Sequence, residues 1–227
     1  MPGQGPSQRG DTMIFSTCGV PAEKDEHTLL LLHCDDYSDS SMYGIELMDK
    51  SAQVSTEQSK FGGKSMYFNG STRLSIDDVS ARIFDFGTGD FTVEAWIYPE
   101  EITTDNFIFS GSASGAFFFG RKGSNVIGIG RANILWDTEA PVATPANTWS
   151  HVAAVRSNGL VYFYVNGTQY GTGITMNTNA YSMAGFMAYI GSQGSNLYYK
   201  GYMDEIRVSN VARWTESFVP PTQPYRG

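Results

Sequence analysis

About a dozen short apolar or alternating runs, cut apart by Gly, Asn, Ser and Thr, make up most of this sequence, and hardly any carries a helical period. That punctuation constrains the fold more than any other feature. Phe91–Pro99 is the plainest run. In an extended chain Phe91, Val93, Ala95 and Ile97 share one face, and Thr92, Glu94, Trp96 and Tyr98 share the other. Comparable runs cover Thr28–His33, Ser65–Phe68, Arg73–Ile76, Asn106–Ser110, Ala116–Arg121 and Val126–Arg131. Others cover Ser150–Arg156, Leu160–Val165, Phe186–Ile190 and Gly201–Val208. Asn69-Gly70 and Asn166-Gly167 lie between runs and read as hairpin turns, because both residue types tolerate positive φ. Val211–Phe218 reads as one helical turn, stopped by Pro220-Pro221. Strands this closely spaced leave no room for βαβ units, and no fixed-period repeat points to a propeller or solenoid. The expected fold is all-β: a two-sheet antiparallel β-sandwich of jelly-roll type over residues 27–227. An extended polar arm, residues 1–26, precedes it.

Charge narrows the partners. The formal net charge is −8 and no basic cluster exceeds Arg121-Lys122, which argues against a nucleic-acid partner. No apolar run reaches the length of a membrane-spanning helix. Met1–Thr12 has no basic stretch followed by a hydrophobic one, so synthesis in the cytosol is expected. Cys18 and Cys34 match no metal-ligand spacing. Two reduced thiols, or a bond tying the arm to the first strand, both remain open. Within the arm Met13, Ile14 and Phe15 are the one apolar cluster. It belongs either to a floppy terminus or to an assembly contact with a neighbouring subunit.

An ordered series of motifs runs through the chain. It begins with Leu29–His33 ahead of acidic residues, then Ser59-Lys60-Phe61-Gly62-Gly63 and Tyr67-Phe68-Asn69-Gly70. It continues with Phe86-Gly87-Thr88-Gly89-Asp90 leading into Phe91–Ile97, then Asn147-Thr148-Trp149-Ser150-His151-Val152 and Tyr164-Val165-Asn166-Gly167. Ile190-Gly191, Gly201–Ser209 and Ala212-Arg213-Trp214 close it. The series resembles the laminin-G-like (concanavalin A-like lectin/glucanase) superfamily over roughly residues 28–224. More narrowly it resembles the form common in bacteriophage virion proteins. The resemblance implies that His151 and Trp149 support the core. It also implies a choice of roles, since this fold serves many.

Hydrolysis of a glycosidic bond needs two carboxylates flanking it. Glucanases of the resembled fold place three acids on one strand face as Glu-x-Asp-x-Glu. Here Glu94 has no acid two residues on, and adjacent Asp204 and Glu205 point to opposite faces. A non-enzymatic role is therefore expected. Calcium is the plausible cofactor, with Asp35, Asp36, Asp39 and Asp204 as candidate ligands. The alternative reading makes them turn-capping acids and a buried hydrogen-bonded aspartate. Saccharide binding would use aromatic faces and a few polar groups outside the core positions. The candidates are Trp136, Arg131, Asn133, Tyr181, Asn196, Tyr198 and Tyr199. In the Tyr198-Tyr199 pair one ring must face outward. Asn69-Gly70-Ser71 and Asn166-Gly167-Thr168 match the glycosylation triplet but are better explained as turns.

The reading that joins these points is a virion-associated accessory protein of a bacteriophage, made in host cytosol. Its expected form is a capsid decoration or cement subunit whose fold can bind glycans. Its expected partners are the shell protein or sister subunits, as a homo-oligomer in the particle, and cell-surface glycans. The alternatives are a tail-fibre or receptor-binding component and a free carbohydrate-binding lectin.

Overall fold

The computed structural model describes residues 25–100, 104–176, 180–194 and 197–226. In chain order the first strands are β1 (Thr28–Leu32), β2 (Gln53–Ser55), β3 (Ser65–Asn69), β4 (Leu74–Ile76), β5 (Phe91–Pro99), β6 (Asn106–Gly111), β7 (Phe117–Arg121) and β8 (Val126–Arg131). Then come β9 (Leu135–Ala143), β10 (Ser150–Ser157), β11 (Leu160–Val165), β12 (Thr168–Thr175), β13 (Ala188–Ile190), β14 (Ser192–Gln193), β15 (Leu197–Tyr198) and β16 (Lys200–Ser209). Among the described residues the larger sheet runs β12-β11-β10-β5-β16-β3-β2, with β1 also paired to β16. The smaller sheet runs β4-β13-β6-β7-β8-β9, and β14 pairs with β15. The ladders within both sheets are antiparallel. The expected all-β sandwich is thus the observed one.

Strand β16 organises the larger sheet. One edge pairs with β5. The other pairs with β3 through Lys200–Met203 and with β1 through Ile206–Ser209. The register slips between Asp204 and Arg207, where Glu205 adopts φ 49°. A bulge there re-aims the side chains on either side of it.

The core lies between the sheets, as alternation requires. Phe91, Val93, Ala95 and Ile97 are fully buried and meet Phe109, Phe117, Phe119, Ile127 and Ile129 from the smaller sheet. Burying each such side chain contributes about 1.5–3 kcal/mol. Edge-on contacts such as Phe91 with Phe117, 5.2 Å between ring centres, fix the packing of large rings in a small space.

Two details differ from the sequence reading, and one agrees with it. Asn69-Gly70 does not close a hairpin, because β3 lies in the larger sheet and β4 in the smaller, so the turn carries the chain between sheets. Asn166-Gly167 does close one, with φ 50° and 75°, between β11 and β12. Residues 211–218 are irregular, not helical, because their aromatic side chains are held one by one against the larger sheet. Trp214 stacks on Phe218 at 3.9 Å and 6°, and Phe218 contacts His151 and Tyr164. This C-terminal strap continues to Tyr225. The Tyr225 hydroxyl donates to Glu94 Oε2 at 2.6 Å, beside His151 Nε2.

Candidate functional site

The outer face of the smaller sheet carries a cleft of about 230 Å³. Two glycines lie close beneath its aromatic rings. A Cβ on Gly128 would lie 2.9 Å from the Trp136 ring, and one on Gly130 would lie 2.5 Å from Phe118. Their missing side chains let the indole and the phenyl ring lie flat against the sheet. Trp136, from β9, stacks on Phe107 at 5.7 Å and 22°, and Phe118 meets it edge-on at 4.7 Å. The indole Nε1–H donates to Asp105 Oδ2 at 3.0 Å. Asp105 Oδ1 in turn accepts the Gly123 backbone N–H at 2.7 Å. The ring is therefore held on an apolar bed and by a hydrogen bond, and it remains half-buried with area left for a ligand.

Polar groups surround it. Arg131, on β8, donates through Nε and Nη2 to both oxygens of Asp137, at 3.1 and 2.8 Å. The bond to Asp137 raises the guanidinium's pKa against the effect of burial, so its charge is matched and its planar face fixed. Asn133 forms the β8–β9 turn at φ 56°, and Ile134 and Leu135 beside it are about half exposed. Gln193, on β14, is 8% exposed and lines the cleft, and among the described residues its Nε2 has no hydrogen-bond partner. A buried donor left unmade costs about 1–3 kcal/mol, which a ligand acceptor would recover. Aromatic face, matched charges and one waiting donor form a surface suited to a neutral polyhydroxyl ring.

The structure brings Trp136, Arg131 and Asn133 together at this cleft. Tyr198 is half-buried on β15, next to the lining residue Leu197. Two candidates are corrected. Tyr181 and Tyr199 are fully buried and present no face to a ligand. Tyr181 packs against Phe91 and Phe117, and Tyr199 packs edge-on against Phe68. Asn196 lies outside the described residues, as do Met13, Ile14, Phe15 and Cys18. Asp105, Phe107, Phe118 and Gln193 join the cleft only through the strand pairings, and the strand reading alone did not single them out.

The acidic candidates have separate environments. Asp39 accepts the backbone N–H groups of Leu31, Ser41 and Ile45 and the Ser41 hydroxyl, which fixes its loop. Asp36 accepts the Ser38 N–H. Asp204 Oδ2 accepts the Lys60 and Phe61 N–H groups, at 2.9 and 3.1 Å. Among the described residues Asp35 Oδ1 and Asp204 Oδ1 are buried without a partner. Among the described residues no three His, Cys, Asp or Glu side chains converge as a metal site would require. Cys34 is a buried thiol donating to the Leu32 carbonyl, and burial pushes its pKa up.

Glu94, His151, Arg207 and Tyr225 form a separate polar centre beneath the strap. Arg207 Nε donates to Glu94 Oε1 at 2.7 Å, and His151 Nε2 lies 3.0 Å from Oε2. Burial pushes the Glu94 carboxyl up, but Arg207, His151 and Tyr225 together bring it below its ordinary value. With Glu94 and His151 fully buried, this centre pins the strap to the sheet.

Comparison with known proteins agrees with this architecture. Domain 4 of AbnA, a GH43 extracellular arabinanase from Geobacillus stearothermophilus, solved with arabinotriose, superimposes with a TM-score of 0.63 at 19% identity. That match covers 82% of this chain and 93% of the arabinanase domain. The binding domain of botulinum neurotoxin DC, solved with rat synaptotagmin II, gives 0.62 at 12% identity over 82% of this chain and 49% of that one. The binding domain of Paraclostridial Mosquitocidal Protein 1 gives 0.61 at 12% identity over 82% of this chain and 49% of that one. No curated protein matches the chain. A family model described as the concanavalin A-like lectin/glucanases superfamily matches residues 68–217, well over half the sequence, and with the sandwich just described the chain belongs to that superfamily.

Proposed function

We propose that this protein is a non-catalytic saccharide-binding module and that the Trp136 cleft is its site. The carrying observation is the indole laid flat over Gly128 and fixed by Asp105, with the unpartnered Gln193 donor beside it. A sugar ring stacks its apolar face on Trp136 while its hydroxyls meet Gln193, Asn133 and Arg131. The arabinanase domain solved with arabinotriose supports a neutral saccharide as the ligand class.

The test is a glycan array followed by calorimetry on the best hit. Trp136→Ala is expected to weaken binding by about tenfold or more, equal to about 1.4 kcal/mol. Gln193→Ala should weaken it less. Unchanged affinity in both variants would remove the cleft from the function. A chelator is expected to leave binding unchanged, since the proposed contacts use no calcium.

The virion setting belongs to this proposal and rests on the motif resemblance. In it the module decorates a phage capsid, with shell or sister subunits as partners. Mass spectrometry of purified particles tests it. Hundreds of copies in fixed ratio to the shell protein support decoration, and a few copies move it to the tail. Absence from particles removes the virion setting and leaves a free lectin.

A further inference from the structure

A second, larger cleft of about 560 Å³ opens on the outer face of the opposite sheet. Trp96 and Trp149, Lys60 and Phe61 from the β2–β3 loop, Asn166 from the β11–β12 turn, and strap residues 219–222 line it. The strand pattern places Trp96 there unambiguously. Ala95 and Ile97 point into the core, so Trp96 on the same strand must point out. The cleft is thus separated from the Trp136 site by the whole thickness of the sandwich.

Its chemistry differs from that of the first cleft. Lys60 is the sole charged residue among those lining it, and no acid lines it. The Lys60 ammonium lies 3.7 Å from the centre of the Trp96 ring, and among the described residues it makes no ion pair. Burial lowers its pKa, opposed by Asp204 behind it. A partly buried cation held over aromatic rings, with no carboxylate opposite it, is complementary to an anion. Trp96 is 5% exposed, and among the described residues its indole N–H has no hydrogen-bond partner. An indole nitrogen can only donate, so what satisfies it is an acceptor. Asn166 uses its side-chain oxygen to accept the His151 backbone N–H at 2.9 Å, which leaves its NH₂ end for a ligand. Lys60, the Trp96 N–H and the Asn166 NH₂ group are donors, the Thr222 hydroxyl can donate or accept, and the remaining walls are aromatic rings, Val219 and prolines. The complementary ligand carries a negative charge, acceptor oxygens and a flat apolar face.

We propose that this cleft is a second saccharide site, selective for a sugar ring bearing a carboxylate. The carboxylate pairs with Lys60, the Trp96 N–H donates to a carboxylate or ring oxygen, and the ring's C–H face rests on Trp149. An acidic peptide would satisfy Lys60, but it has no stiff ring to lie on the indole.

The four tryptophans provide the readout. In an amide-correlation NMR spectrum each indole N–H gives one resolvable signal, assigned by single Trp→Phe variants. Methyl glucuronide is expected to shift the Trp96 signal and to bind at least about tenfold more tightly than methyl glucoside, a difference of about 1.4 kcal/mol. Lys60→Met should abolish that preference, with an unchanged thermal midpoint showing that the fold survives. Trp136→Phe should leave it intact, which separates this site from the first. Equal binding of the neutral glycoside would overturn the role of Lys60. Equal binding of acetate or a short polyglutamate would overturn recognition of the ring. Absence of any Trp96 shift at saturating glucuronide would overturn the site itself.

Discussion

At Asp204 one carboxylate holds a loop to a strand at a cost set by pH. Its Oδ2 takes two backbone N–H bonds from Lys60 and Phe61, while Oδ1 stays buried and unpartnered. Burial overrides those two bonds and pushes its pKa from 3.8 up to about 7. The folded state therefore keeps a proton that the unfolded chain has already lost. Stability falls as pH rises between those two values and is level above the higher one. His33 acts in the same direction. Its bond to Glu205 raises its pKa, so its contribution is complete below 6.5 and lost as pH rises through the raised value. Asp25 acts oppositely. Although burial opposes it, its bonds to Arg213, Thr28 and the His27 N–H hold its pKa near 2, and that stabilisation disappears as acid approaches that value. The thermal midpoint is expected to peak in mildly acidic buffer and to decline toward pH 8. Asp204→Asn keeps a carbonyl for the two N–H groups and should flatten the decline, by up to about 1.4 kcal/mol per pH unit. Parallel curves for both proteins would mean that Asp204 is ionised when folded. At this scale the sequence was partly legible. Trp136, Arg131 and Asn133 could be named because they stand outside the regular core pattern. Tyr181 and Tyr199 could not be excluded, since a tyrosine in a short irregular stretch can face either way.

Among the elements, legibility followed position in the sheets. The strands absent from the sequence reading include β2, β9 and β12, and all three are sheet edges. Edge strands bury little, so their alternation is weak. β9 carries Pro141, and β12 carries Gly171 and Gly173, both at positive φ. Central strands such as β5 and β10 are covered on both sides and were read almost to the residue. The cleft sits on β9, which is why its partners on β6, β7 and β14 needed the pairing to be seen. The glycines beneath Trp136 give this scale its prediction. A methyl group on Gly128 would lie 2.7 Å from the Thr138 carbonyl and 2.9 Å from the indole. Gly128→Ala is expected to cost about 1–3 kcal/mol of stability through overpacking. It should also lift Trp136, changing the near-ultraviolet circular dichroism and weakening saccharide binding in calorimetry. Full affinity in this variant would show that the flat seat of Trp136 is not required.

For the molecule as a whole, the two clefts lie on opposite outer faces with the core between them. They share no residue, so variants in one should not change affinity in the other, and a double variant should show additive losses within about 0.5 kcal/mol. Thr28 pairs with Ser209, the Asn210 N–H donates to the His27 carbonyl, and Arg213 bonds to Asp25. The first and last strands therefore run side by side, and the Tyr225 N–H donates to Glu205 Oε2 on β16, the strand next to β1. A sandwich closed in this way is topologically almost a ring. A flexible bridge of about ten residues, spanning roughly 17 Å, should join residue 226 to residue 25. New termini could then open at the exposed Tyr43-Gly44 turn. Such a circular permutant is expected to melt close to the parent. By the same geometry, the sandwich could be grafted into a surface loop of another protein through short flexible linkers, since lengthening a loop adds little to its closure entropy.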